Sequence, residues 1–230
     1  MTTSTATATA TVAPPIELSD LGPIAQLRAG RLPRRLVQLY AGLVLYGFSI
    51  ALMVRSHLGL APWDVLHSGL AQHVPIDIGG ALVIVSFVVM LAWIPLREMP
   101  GLGTISNAVV IGLATDAFLA AMGTPDAIGV RVVLLVAGIV LQGVATAAYI
   151  GAELGRGPRD GLMTGLSRRT GGSLRLVRTL MELTVVAIGL VLGGVAGAGT
   201  IVYALAIGPL SQALLPSFLV ASGAPGEVSG

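Results

Sequence analysis

Two short stretches of this sequence could do chemistry, and they are one string written twice. Leu58-Gly59-x-x-Pro62-x-Asp64 recurs as Leu154-Gly155-x-x-Pro158-x-Asp160. Glycine reaches backbone conformations closed to other residues. Proline disfavours helix in the residue before it, yet suits the first position of a new helix, where no N–H is needed. The string therefore reads as a chain break followed by a helix start, with Asp64 and Asp160 in the first turn. A carboxylate there is favoured by the helix dipole, and the free N–H groups of the same turn can hold an anionic group. Two readings stay open. Each aspartate caps its own helix, or the two breaks flank one polar site, with anions held by N–H and Arg groups or protons and cations served by the carboxylates.

Other charged side chains join the candidates. Arg55 and Arg159 lie beside the two motifs, and His67 follows Asp64 on one helical face. Arg178 and Glu182 are four residues apart, the spacing of a neutralising pair, and are also placed to meet an acidic substrate or Asp160. Asp116 faces Gln212 in the repeat and has the weakest claim of the acids. His57, His67 and His73 do not share one helical face, so no metal site is expected. Trp63 and Trp93 suit an interfacial anchor or a cavity wall. No nucleophile–base constellation is present, the chain has no cysteine, and neither catalytic residues nor cofactors are expected.

The elements that position these residues are membrane helices. Hydrophobic residues make up 54% of the chain, charged residues 10%, and mean hydropathy is +0.89; that is too little charge for a hydrated shell around 230 residues. The apolar runs are continuous and about twenty residues long, which favours helices over membrane strands. Six spans are expected, at 36–54, 79–96, 103–122, 130–151, 174–193 and 199–219. Two short segments, 61–73 and 157–169, are helical in pattern but too short and polar to cross. Residues 1–30 read as a disordered cytoplasmic tail, and 220–230 as a second tail. With the N-terminus in the cytoplasm, eleven of the thirteen arginines lie inside and only Arg55 and Arg131 outside. The net charge of +2 gives no reason to expect nucleic acid.

Sliding the chain by 96 residues aligns 41–112 with 137–208 and gives 22 identities in 72 pairs, against roughly 6–7 by chance. Gly101-x-Gly-Thr104-Ile recurs as Gly197-x-Gly-Thr200-Ile. The chain thus reads as two units, 36–122 and 130–219. With an odd number of spans each, they would insert as inverted repeats, and the short segments would dip in from opposite faces.

On Ala51-Leu-Met-Val-Arg55, Leu58-Gly-Leu-Ala-Pro-Trp-Asp-Val-Leu-His67, Gly101-Leu-Gly-Thr104 and Gly155-Arg-Gly-Pro-Arg-Asp-Gly-Leu-Met163, the chain resembles the YczE/YitT-like bacterial membrane proteins, nearest the YczE branch, over about residues 36–215. The resemblance implies an inner-membrane protein and supplies no substrate. The expected function is a small-molecule transporter or channel for an anionic or zwitterionic solute, with Asp64, Asp160, Arg55, Arg159 and Arg178 lining the site. The alternative is a non-transporting regulatory or assembly protein acting through helix contacts, as a homo-oligomer or with a membrane partner.

Overall fold

Residues 22–220 are described in the computed structural model. The tail expected at 1–30 lies outside the described residues as far as residue 21, and of the tail at 220–230 only Val220 is described. Among the described residues the chain forms ten helices and no strand: α1 Pro23–Arg28, α2 Leu32–Ser56, α3 Pro62–Leu70, α4 Ile78–Leu91, α5 Trp93–Leu96, α6 Leu102–Ala121, α7 Ile128–Gly151, α8 Pro158–Thr170, α9 Leu174–Val191 and α10 Ala198–Phe218. Residues 23–28, read from sequence as tail, are helical. The Gln26 carbonyl there accepts from Arg35 Nη1 at 2.6 Å.

Local chemistry sets the boundaries. Pro62 and Pro158 open α3 and α8, as a residue without an N–H should. The glycine three residues earlier has φ +127° in both copies, Gly59 and Gly155, a conformation that side chains with a Cβ rarely adopt. Thr104 and Thr200 stand at the third position of α6 and α10, and their hydroxyls accept from the N–H of Gly101 and Gly197, each at 3.1 Å.

The 96-residue period holds in three dimensions at the level of element starts. Helices α2, α3, α4 and α6 begin at residues 32, 62, 78 and 102; α7, α8, α9 and α10 begin at 128, 158, 174 and 198. Packing follows the same correspondence. Helix α2 lies along α7, with α6 flanking α2 and α10 flanking α7. Helix α3 packs against α9, and α8 against α4 and α5. Each break is stitched into the other half: Gly199 N–H donates to the Leu58 carbonyl at 2.8 Å, and Gly103 N–H to the Leu154 carbonyl at 2.6 Å.

One correspondence fails. Helix α4 packs along α6, so closely that a Cβ on Gly79 would strike the Gly112 carbonyl. Asp116 of α6 accepts the N–H groups of Gly79 at 2.7 Å and Gly80 at 3.0 Å at the start of α4. The claim of Asp116, the weakest among the acids in the sequence, is thereby corrected: it ties two helices together. Helix α9 has no comparable packing on α10; a cavity separates them.

Five helical segments are long and apolar enough to cross a membrane: Leu32–Ser56, Ile78–Leu96, Leu102–Ala121, Ile128–Gly151 and Ala198–Phe218. Helix α9, at the place of the expected span 174–193, has 18 residues but carries Arg175, Arg178 and Glu182 and falls short of that measure. Large aliphatic side chains such as Val88, Leu91, Leu113, Val133 and Leu205 point outward and are exposed, a surface that lipid rather than water solvates.

Candidate functional site

The cavity holds about 300 Å³. Its floor is made by the starts of α3 and α8, and its walls by α9, α10, the middle of α2 and the C-terminal end of α7. Because α8 opens at Pro158, its next two residues, Arg159 and Asp160, sit in the first turn and line the cavity. Asp160 Oδ2 accepts from the Tyr149 hydroxyl at 2.7 Å. The Arg159 guanidinium lies 5.2 Å above the centre of the Trp63 ring, the geometry of a cation–π contact. Among the described residues it has no hydrogen-bond or ion-pair partner. Trp63 and Arg159 are themselves 96 residues apart, so equivalent positions of the two halves meet here.

Farther up the wall, Arg178 Nε donates to Glu182 Oε1 at 2.8 Å. Tyr46 and Tyr203 close the cavity from α2 and α10. The Tyr203 hydroxyl accepts from Nε2 of Gln142, a fully buried residue, at 3.1 Å. Gln142 Oε1 and Ser211 Oγ are buried without a partner.

Of the residues expected to line a site, Arg159, Asp160, Arg178 and Glu182 line this cavity; of the break-motif residues Gly59, Pro62, Gly155 and Pro158, only Pro62 does, at its floor. Asp64, His67 and Arg55 do not, which corrects their expected place. Asp64 and His67 form a pair at 3.0 Å within α3, 1% and 0% exposed. Both are buried, with Tyr46, Arg159 and Tyr203 near enough to Asp64 to act on it electrostatically, and Asp64 Oδ2 and His67 Nε2 are left without hydrogen-bond partners beyond the pair. Arg55 is drawn to the end of α6, where it donates to the Leu119 carbonyl and to Thr124 Oγ1 at 3.2 Å. Gly59 and Gly155 hold the crossings of the two halves, and the Pro158 carbonyl accepts from Trp93 Nε1 at 3.0 Å.

The sequence profile of a family of unknown function, DUF6198, matches residues 33–216. The chain belongs to the DUF6198 family. An uncharacterized Haemophilus influenzae protein is 40% identical over 173 residues, covering 75% of this chain and 79% of its own. The Bacillus subtilis uncharacterized membrane protein YczE is 32% identical over 179 residues, covering 77% and 83%. Bacillus subtilis YyaS is 25% identical over 182 residues, covering 76% and 89%. The YczE likeness expected from the motifs is therefore shown, and this member of the DUF6198 family is a membrane protein with several apolar helices. No solved structure matches.

The residues that sequence reasoning missed in this DUF6198 member are Tyr46, Tyr149, Tyr203, Gln142 and Ser211. They come from three different spans and belong to no motif. The available signal was chemical: hydroxyls and an amide inside apolar spans need partners or a cavity.

In the first half, the positions equivalent to the cavity wall are shut. Leu82, Ser86, Asn107, Gly112 and Thr115 stand where the second half has Arg178, Glu182, Tyr203, Gly208 and Ser211, and all five are buried.

Proposed function

We propose that this protein is a transporter of small solutes in the bacterial inner membrane, built from two inverted three-span halves, with both termini cytoplasmic and no enzymatic activity. Under that topology α9 is the sixth span, and its charges face the cavity and one another rather than lipid. The observation that carries the reading is the unequal state of two equivalent regions. One half holds a polar cavity between its last two long helices; the same positions in the other half are packed tight. Two related halves held in different states are what alternating access requires. The arginine distribution sets the cavity toward the cytoplasm, which makes this an inward-facing form.

The test is flux. Purified protein in liposomes is given labelled small solutes and ions, alongside the Asp160→Asn variant. Transport of a solute that Asp160→Asn slows supports the reading; no flux of anything, with wild type and variant alike, defeats it.

A further inference from the structure

We propose that the cavity takes a small zwitterion of amino-acid size, with its carboxylate on Arg159 and its ammonium group on Asp160 among tyrosine rings. This rests on the reading of the cavity as a solute site.

Four side chains of ionisable type line the cavity: Arg159, Asp160, Arg178 and Glu182. Arg178 and Glu182 satisfy each other at 2.8 Å. Asp160 spends one oxygen on the Tyr149 hydroxyl and keeps the other. Arg159 has an aromatic ring beneath it and no oxygen partner among the described residues. One cation and one anion, consecutive in the chain and in one helical turn, therefore retain unused bonding capacity. The formal charges of these four lining side chains sum to zero; Asp64, which also acts on Arg159, is buried outside the cavity and bonded to His67. At membrane depth an occupant with net charge leaves that charge uncompensated, whereas a molecule with two opposite poles leaves none.

Shape and size agree. The planar guanidinium fork matches a carboxylate edge. Tyr46, Tyr149 and Tyr203 line the cavity, and aromatic rings attract an ammonium group. About 300 Å³, at roughly 30 Å³ per water-sized unit, holds about ten non-hydrogen atoms. That suits an amino acid and is too small for a nucleotide or a phospholipid.

Binding can be read without transport, because the chain has two tryptophans and one of them, Trp63, lies under Arg159. Protein in detergent is titrated with the common amino acids and glycine betaine while tryptophan fluorescence is followed. Each zwitterion that responds is compared with its analogues lacking the ammonium or the carboxylate group. The expected result is a saturable change with at least one zwitterion, absent in Trp63→Phe, with both analogues at least about tenfold weaker. Arg159→Gln and Asp160→Asn should each weaken binding by about tenfold, with Arg159→Lys recovering part of the loss. An analogue lacking one pole that binds as tightly as its parent overturns the proposal, as does the absence of any saturable zwitterion. Uptake into liposomes separates the two readings. Zwitterion binding without uptake sustains this inference and removes transport; uptake restricted to single-pole solutes does the reverse.

Discussion

Replacing Asp116 with alanine should release the closed half. The carboxylate accepts two backbone N–H groups, from Gly79 at 2.7 Å and Gly80 at 3.0 Å, at the positive end of α4. A hydrogen bond to a charged group contributes about 1.5–3 kcal/mol, and a carboxylate at a helix start about 0.3–1. Asp116 is partly exposed, so water takes over some of what is lost, and about 2–3 kcal/mol is a fair net figure. At about 1.4 kcal/mol per tenfold, the ratio of open to closed α4–α6 shifts by about 30- to 150-fold. The reporter is Thr115→Cys, one residue away and buried, in a chain with no other cysteine. While the closed form dominates, its reaction rate with a polar maleimide in detergent tracks the open fraction. Cys labelling should therefore be slow at 115 alone and at least about 30-fold faster with Asp116→Ala, by the same energy conversion. Ser211→Cys, the equivalent position in the wall of the open cavity, gives the rate for comparison. If Asp116→Ala lowers the melting temperature but leaves labelling at 115 unchanged, Asp116 only braces the fold and the two-state argument fails.

Three further outcomes follow from the same geometry. Arg35 is fully buried and donates to the carbonyls of Ala152 at 2.8 Å, Gln26 at 2.6 Å and Glu153 at 2.6 Å; Arg35→Met should cost on the order of 3–5 kcal/mol and show as lost thermal stability in detergent. Gly59→Ala and Gly155→Ala each force a side chain to φ +127° and against the opposite half; strain of about 1–3 kcal/mol apiece, with the clash added, should reduce folded yield to a similar degree in both. Asp64→Asn and Asp160→Asn should part company despite their shared motif: the first lowers the melting temperature through the buried pair with His67, whereas the second leaves it within a few degrees and reduces ligand binding.

Much of the fold was legible because its signals are local or periodic. Apolar runs located the long helices, and the Gly–Pro spacing located the starts of α3 and α8 to within one residue of the expected 61 and 157. The 96-residue offset located the correspondence between halves. The site was legible only in part. Two identical motifs gave no reason to separate Asp160 from Asp64. The difference comes from what surrounds them: His67 and tight packing on one side, Met163 and open space on the other. Tyr46, Tyr149 and Tyr203 converge from distant spans, and a tyrosine in an apolar run looks the same whether it meets lipid or a cavity. Nearness in sequence groups Arg55 with the site, yet its guanidinium is held at the end of α6 by Leu119 and Thr124.

The contact between Trp63 and Arg159 joins the same position of two halves. In a dimer of identical chains, a residue on the symmetry axis meets its own copy. Arginine would face arginine, with like charges at close quarters, or tryptophan would face tryptophan, with no charge at all. A cation resting on an aromatic face cannot exist at such a point until the partners are free to differ. Joining the halves in one polypeptide supplies that freedom, and this pair is a thing that the single chain can build and a symmetric assembly cannot.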